Sequence, residues 1–441
     1  MLSLYSVEEA RHSILQRQPP DEFPVSPAVL ASIERLFGAA LTPEQAVARI
    51  VADVRRRGDA ALREWSARLD QRATDSFRAS PEQLARALQS ISAEQRAALE
   101  LAAERIRRFH QHQPLQSWLT QDGDGMLGQL VRPIRRVGVY APGGTAPLPS
   151  TVLMAAVPAQ VAGVKEIVVA VPPQRATGEI ADITLAACAL LGLTEVYALG
   201  GAQAIAALAY GTQTIPAVDK IFGPGNLFVT LAKRQVFGVV GIDGLAGPTE
   251  TMVIADETAA PGGVAADLLA QAEHDGLAAA ILLTPSRPLA EAVQVEVARR
   301  IEALPRADIV AQALAHRSGV VITRDLAEAA DLANAYAPEH LCLSVSDPWA
   351  LSEKIHAAGG LFFGEHSCEA LGDYNAGPSH VMPTSGTARF ASPLNVWDFV
   401  HLVSLVALNR EAAARLSRPA AVLARAEGLE AHAQAAEERG R

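Results

Sequence analysis

From Arg135 onward the chain alternates short, almost wholly apolar runs with stretches of helical length, and this rhythm constrains the fold more than any single motif. The runs are Arg136-Val137-Gly138-Val139-Tyr140 and residues 166–172, 195–199 and 219–222, with helical stretches near 150–162, 179–191, 202–209 and 227–235 between them. A strand without polar alternation has both faces buried, and successive parallel strands need a helical crossover. The pattern therefore predicts a mostly parallel sheet covered by helices on both faces. After Gly/Pro punctuation at 244–248 the rhythm restarts, with runs at 251–255, 279–284, 319–323, 340–345 and 360–363, so a second α/β unit follows.

Upstream, Thr42-Pro43-Glu44-Gln45, Ser80-Pro81-Glu82-Gln83 and Ser92-Ala93-Glu94-Gln95 have capping-box spacing, which predicts a mainly helical region over roughly the first 115 residues. The tail from about Leu394 is rich in Ala and is predicted to be helical, docking on this or a neighbouring subunit. With 441 residues, 49% hydrophobic but only 5% aromatic, the cores must be built from Ala, Val, Leu and Ile. That length suggests about two to four domains.

A net charge of −10 without a basic stripe argues against capture of nucleic acid or of an anionic membrane, which leaves a small-molecule role as the default. The first residues, Met1 to Glu9, lack a basic region followed by an apolar core, so no secretory signal is expected, and no apolar run is long enough to span a bilayer. Cys188, Cys342 and Cys368 are odd in number and widely spaced, which fits reduced thiols and a cytoplasmic location.

Several patterns could carry chemistry, each beside a plainer reading. Gln271-Ala272-Glu273-His274 offers an amide oxygen and an imidazole on one predicted helix face, a metal half-site if further ligands converge, although such spacing more often marks a solvated face or a hydrogen-bonded pair. Three Gly-rich turns follow predicted strands: Pro142-Gly143-Gly144-Thr145, Gly200-Gly201-Ala202-Gln203 and Gly223-Pro224-Gly225-Asn226. They suit a dinucleotide at the carboxyl edge of a parallel sheet, yet none is GxGxxG, and steric turns are the alternative. Pro338-Glu339-His340 sets a carboxylate beside an imidazole at a helix-to-strand junction, an acid/base pair if Pro338 makes the junction irregular and an exposed strand entry otherwise. Gly372-Asp373-Tyr374 and Ser379-His380 lie in a Gly/Pro-rich segment that reads equally as a functional or an exposed loop. Glu427 and His432 stand five residues apart, about 140° round a helix, so they share no face.

Taken in order, Gly138-Val139-Tyr140 with Pro142-Gly143-Gly144, residues 200–208, Lys220 to Asn226, Ala246 to Glu250, Gln271 to His274, Pro338 to Leu341, Gly372 to Tyr374 and Glu427 to His432 resemble the histidinol dehydrogenase family from about residue 30 to the end. The resemblance implies two Rossmann-like parallel-sheet domains with helices on both faces, plus small helical N- and C-terminal segments. Its expected boundaries are a helical segment 1–35, a discontinuous α/β domain of 36–138 and 249–393, an NAD-contacting domain of 139–248, and a tail of 394–441.

It further implies oxidation of L-histidinol to L-histidine through a bound aldehyde, reducing two NAD with one Zn2+ per subunit, as the last step of histidine biosynthesis. The implied metal ligands are Gln271, His274, Asp373 and His432, a mixed nitrogen and oxygen set that would also accept cobalt or manganese. His340 would take the hydroxyl proton and Glu339 would activate water. Thr249, Glu427, His340 and the four metal positions would contact substrate, while Tyr140, Gln203 and Asn226 would hold NAD. The family's usual residue at 249 is Ser, so Thr249 keeps the hydroxyl and adds a methyl. The tail would complete the site of a partner subunit in a homodimer. Two rival readings are a relative of the same fold acting on another polar alcohol, such as a sulfonated diol, and a metal-binding protein without catalysis.

Overall fold

The computed structural model describes residues 2–17, 25–70, 76–143 and 146–440, so Gly144 and Thr145 of the first Gly-rich turn lie outside the described residues. The α/β reading holds. The expected strand at 136–140 is Arg136–Tyr140, and those at 166, 195 and 219 are Glu166–Val171, Glu195–Ala198 and Lys220–Phe222. With Gly241–Ile242 they form a five-stranded parallel sheet in the order 195–198, 166–171, 136–140, 220–222, 241–242. Strand order reverses between Arg136–Tyr140 and Lys220–Phe222, the switch point beyond whose carboxyl ends an open sheet leaves a crevice.

Side chains alternate strictly in this sheet. Val137, Val139, Ile167, Val169 and Val171 enter one core, while Tyr140, Val168 and Ala170 enter the other. Gly138 leaves room for close packing, because a Cβ there would crowd Leu208 and Val218 at 3.2 Å. The second sheet runs Leu4–Ser6, Gly319–Ile322, Ala279–Thr284, Glu250–Ala255, His340–Ser344, Gly360–Phe363, again all parallel. From residue 250 on it repeats the order of the first sheet, with its switch point between Glu250–Ala255 and His340–Ser344.

Three sequence expectations are corrected. The segment 1–35 is not wholly helical, since Leu4–Ser6 adds an edge strand beside Gly319–Ile322. Residues 36–138 do not belong with the second sheet. Helices Pro43–Arg57 and Asp59–Leu69 share a core with the five-stranded sheet and helix Gly201–Tyr210, and helices Pro81–Ser90 and Ala93–Gln111 cover its opposite face. Their apolar stripes find partners there, which sequence order does not reveal.

The tail is not helical from 394 either. Val396 and Phe399 enter the first core, and Val400–Leu408 pairs antiparallel with Gly125–Pro133, which pairs with Trp118–Asp122. This third sheet is largely exposed, so burial on both faces did not mark its strands. Helices Arg410–Ala426 and Glu430–Arg439 follow. Among the described residues, no helix is long and apolar enough to cross a membrane.

Candidate active site

Helix Leu326–Tyr336 stops at Ala337, whose φ of 51° and ψ of 66° are left-handed, and Pro338 then prevents any return to helix. This is the irregular junction expected from Pro338. It delivers Glu339 and His340, both buried, to the amino end of strand His340–Ser344. The neighbouring strand receives them: Glu339 Oε2 accepts from Thr249 Oγ1 at 2.6 Å and from the Glu250 N–H at 3.0 Å. His340 Nδ1 lies 3.1 Å from the Glu250 carbonyl, which can only accept, so Nδ1 carries a proton and Nε2 faces the site. Both side chains thus rest on the main chain of one residue, Glu250.

Two further carboxylates converge on the imidazole. Asp373 Oδ1 lies 3.7 Å from Nε2, and Glu369 Oε1 lies 3.9 Å from Nδ1. His340, Glu369 and Asp373 form the one cluster of His, Cys, Asp and Glu ligand atoms close enough for a metal among the described residues. Asp373 sits on a π-helical turn, Gly372–Ala376, a distortion that re-aims a side chain. His380 supports it, its Nδ1 3.0 Å from the Asp373 carbonyl oxygen.

Gln271 is fully buried on helix Pro261–Ala272. The helix ends before His274, so the two do not share a regular helical face. A turn bond from the His274 N–H to the Gln271 carbonyl (3.3 Å) keeps them together, and the His274 imidazole, its pKa lowered chiefly by burial, lies within electrostatic reach of Asp373 and His340. Thr251 Oγ1 contacts both Glu369 and, at 3.1 Å, the Gln271 amide. One hydroxyl proton cannot serve two acceptors. When Glu369 is ionised it takes that proton, the Gln271 amide then donates its N–H to Thr251, and its oxygen turns to the position that otherwise holds a buried, partnerless Nε2. Asp373 Oδ1 is likewise buried without a hydrogen-bond partner, so this residue and the reoriented Gln271 amide each offer an oxygen suited to a cation.

Burial pushes the Glu339 and Glu369 carboxyls up to about 7, against the opposing pull of the His340 charge. For His340 burial works against the charged ring, but Glu369, Glu339 and Asp373 outweigh it and raise the imidazole to about 10. Asp373 is lowered despite its own burial, because the His340 ring 3.7 Å away opposes it in charge.

The tail residues do not join this group within the chain. Glu427 closes helix Arg410–Ala426, His432 lies on Glu430–Arg439, and both are exposed. Among the residues expected to contact NAD, Tyr140 and Gln203 are buried neighbours: the Tyr140 hydroxyl accepts from the Gly201 N–H at 3.2 Å, and Gln203 Nε2 donates to Asp70 at 3.1 Å. Asn226 is exposed and caps helix Leu227–Val236, its Oδ1 accepting from Phe228 (3.1 Å) and Val229 (3.2 Å). The three border the carboxyl edge of the five-stranded sheet, where Gly223 packs so closely on the Tyr140 carbonyl that a Cβ would come within 2.0 Å.

Glu339 and His340, by contrast, lie at the amino edge of their own sheet, opposite to the edge where open sheets usually bind ligands. Residues 243–249 join the two edges and can span at most roughly 25 Å.

Glu369, Thr251, Glu250 and Arg17 were not anticipated. Glu369 stands four residues before Asp373, a helical spacing that would have drawn attention had the segment not looked like a Gly-rich loop.

A sequence model of the family described as histidinol dehydrogenase matches residues 39–440. The chain is 55% identical to histidinol dehydrogenase of Deinococcus radiodurans over 95% of either chain. It is 53% identical to that of Thermus thermophilus over 89% of this chain and 93% of the other. The crystal structure of histidinol dehydrogenase from Elizabethkingia anophelis superposes with a TM-score of 0.90 at 34% identity, covering 99% and 98% of the two chains. The chain therefore belongs to the histidinol dehydrogenase family and is a dehydrogenase.

Proposed function

We propose that the chain oxidises L-histidinol to L-histidine through bound L-histidinaldehyde, with two NAD reduced, as the last step of histidine biosynthesis in the cytoplasm. The observation that carries this reading is the seating of Glu339 and His340 on the Glu250 main chain, beside the buried oxygens of Asp373 and Gln271.

In the first oxidation His340, in its neutral form, receives the hydroxyl proton of the alcohol through Nε2, the nitrogen not engaged by the Glu250 carbonyl; a cation held by Asp373 would favour that form by offsetting the carboxylates that otherwise raise the ring. Glu339 then acts on the aldehyde. Its carboxylate, held by Thr249 and the Glu250 N–H, accepts a proton from the attacking water and yields the hydrate that is oxidised in the second step. Two adjacent groups can divide the work because the junction points them at different atoms of one substrate.

Gln271, His274, Asp373 and His432 would hold a zinc ion, and the unpartnered Asp373 Oδ1 and the reorientable Gln271 amide fit that role. Zinc would supply a template that grips and orients the substrate. Tyr140, Gln203 and Asn226 would border NAD, which would accept the hydride. Thr249 and Glu427 would add substrate contacts, and Thr249 spends its hydroxyl proton on Glu339, as a serine would. We assign Glu427 and His432 to the site of a partner subunit in a homodimer. The exposed Val422, Leu423 and Leu429 beside them support this, since such apolar groups favour burial against another chain.

Metal content measured together with NADH formed per histidinol tests the reading. One zinc per subunit and a yield near two are expected. A yield of one, or faster turnover of a sulfonated diol than of histidinol, would overturn it.

A further inference from the structure

Among the described residues, two that are not glycine have positive φ, Ala337 at 51° and Ser385 at 55°. Such backbone persists only where the surroundings hold it. Both are tied to the same ion pair, Arg17 with Glu250. Arg17 Nη2 donates to the Ala337 carbonyl at 3.0 Å, and Nε donates to the preceding carbonyl, of Tyr336, at 2.7 Å. The guanidinium also lies 3.5 Å from the centre of the Tyr336 ring. Glu250 in turn accepts from Arg17 Nη2 at 2.9 Å and from the Ser385 N–H at 3.2 Å. Its side chain is fully buried, while that of Arg17 is 21% exposed.

Glu250 is also the residue whose N–H holds Glu339 and whose carbonyl holds His340. One guanidinium therefore grips the acid/base junction from both sides, at the strained turn before it and at the strand on which it rests. We propose that Arg17 is a positioning residue for the dehydrogenation, locking the Ala337 turn to the Glu250 strand and so fixing where Glu339 and His340 stand.

Only arginine suits this arrangement. Its planar fork can donate in several directions at once, whereas an ammonium is a point charge that cannot match two carbonyls and a carboxylate together. The N-terminal segment otherwise contributes an edge strand at Leu4–Ser6, and Arg17 gives it a role at the site.

The proposal rests on the acid/base reading of Glu339 and His340, so its test includes Glu339→Gln and His340→Asn alongside Arg17→Met and Arg17→Lys, with all rates normalised to bound metal. Both Arg17 variants should bind metal and keep KM for histidinol within about threefold, yet lose roughly ten- to hundredfold in kcat, as expected when catalytic groups shift by about 1 Å. Should Arg17→Met fail to fold because Glu250 is left unpaired, Arg17→Lys and the double variant Arg17→Met/Glu250→Gln carry the test. A kcat within twofold of the parent in a folded Arg17 variant would overturn the proposal, as would a fall in KM performance and metal content that accounts for the whole loss. If instead Glu339→Gln and His340→Asn leave both oxidations intact, it is the acid/base reading that fails.

Discussion

Replacing Glu339 by glutamine should separate the two oxidations. The accepting oxygen of the new amide can keep both native hydrogen bonds, from Thr249 at 2.6 Å and from the Glu250 N–H at 3.0 Å, so the junction should stay folded while the base is lost. A positioned general base contributes about 10²- to 10⁴-fold, or roughly 3–5 kcal/mol of barrier. Oxidation of supplied L-histidinaldehyde should slow by that factor, while histidinol is still converted to aldehyde and the NADH yield falls from two towards one.

The pH profile adds a second signature. Burial raises the Glu339 carboxyl from the usual carboxylate range to about 7, so the group is mostly protonated at pH 6 and mostly ionised at pH 8. Only the ionised form can accept a proton, so the aldehyde step of the parent should rise roughly tenfold across that interval, and the glutamine variant should lose the rise. Single-turnover measurements of both half-reactions would show this. An equal loss in both steps, or an unchanged yield of two, would refute the assignment of Glu339 as the base for water.

Other outcomes follow from the same geometry. Thr251→Val removes the hydroxyl that orients the Gln271 amide and caps Glu369. Metal affinity should drop about 10- to 100-fold in competition with a chelator, and an unchanged affinity would show that Thr251 has no part in aiming the ligand. Arg136 is 3% exposed and binds Glu195 at 2.7 Å and Glu166 at 2.8 Å at the amino edge of the first sheet. Arg136→Met should cost about 3 kcal/mol in urea unfolding, the low end for a broken buried pair because both carboxylates are partly exposed, with NAD turnover by the folded protein unaffected. If the tail completes a partner's site, mixing inactive His432→Asn and His340→Asn chains should restore about a quarter of parental activity through the mixed dimer. No recovery after verified subunit exchange would argue against a shared site.

How far the site could be read in advance differs residue by residue. Glu339 and His340 were legible because Pro338 signalled the broken junction, and the structure answers it with left-handed Ala337. Gln271 and Asp373 were marked as ligands by the resemblance, since neither helical spacing nor a Gly-rich loop by itself distinguishes a ligand from a surface residue. Glu369 and Thr251 were missed because their significance lies in a contact between residues 118 positions apart. Arg17 was hidden more deeply, for its partners lie 233 and 319 positions away.

The local pattern determined the longer strands of both parallel sheets and the helices of the first nearly to the residue, since an apolar run bounded by Gly or Pro has few ways to bury itself, but it did not mark the short edge strands Leu4–Ser6 and Gly241–Ile242. Sequence alone did not determine where the N-terminal helices pack, because an amphipathic stripe specifies that it must be covered but not by what. Nor did it show that Glu339 and His340 would stand at the amino edge of their sheet. That edge becomes a site because folding draws Arg17, Glu250, Ala337 and Asp373 round two adjacent side chains, and only the tertiary structure could bring such distant parts of the chain together.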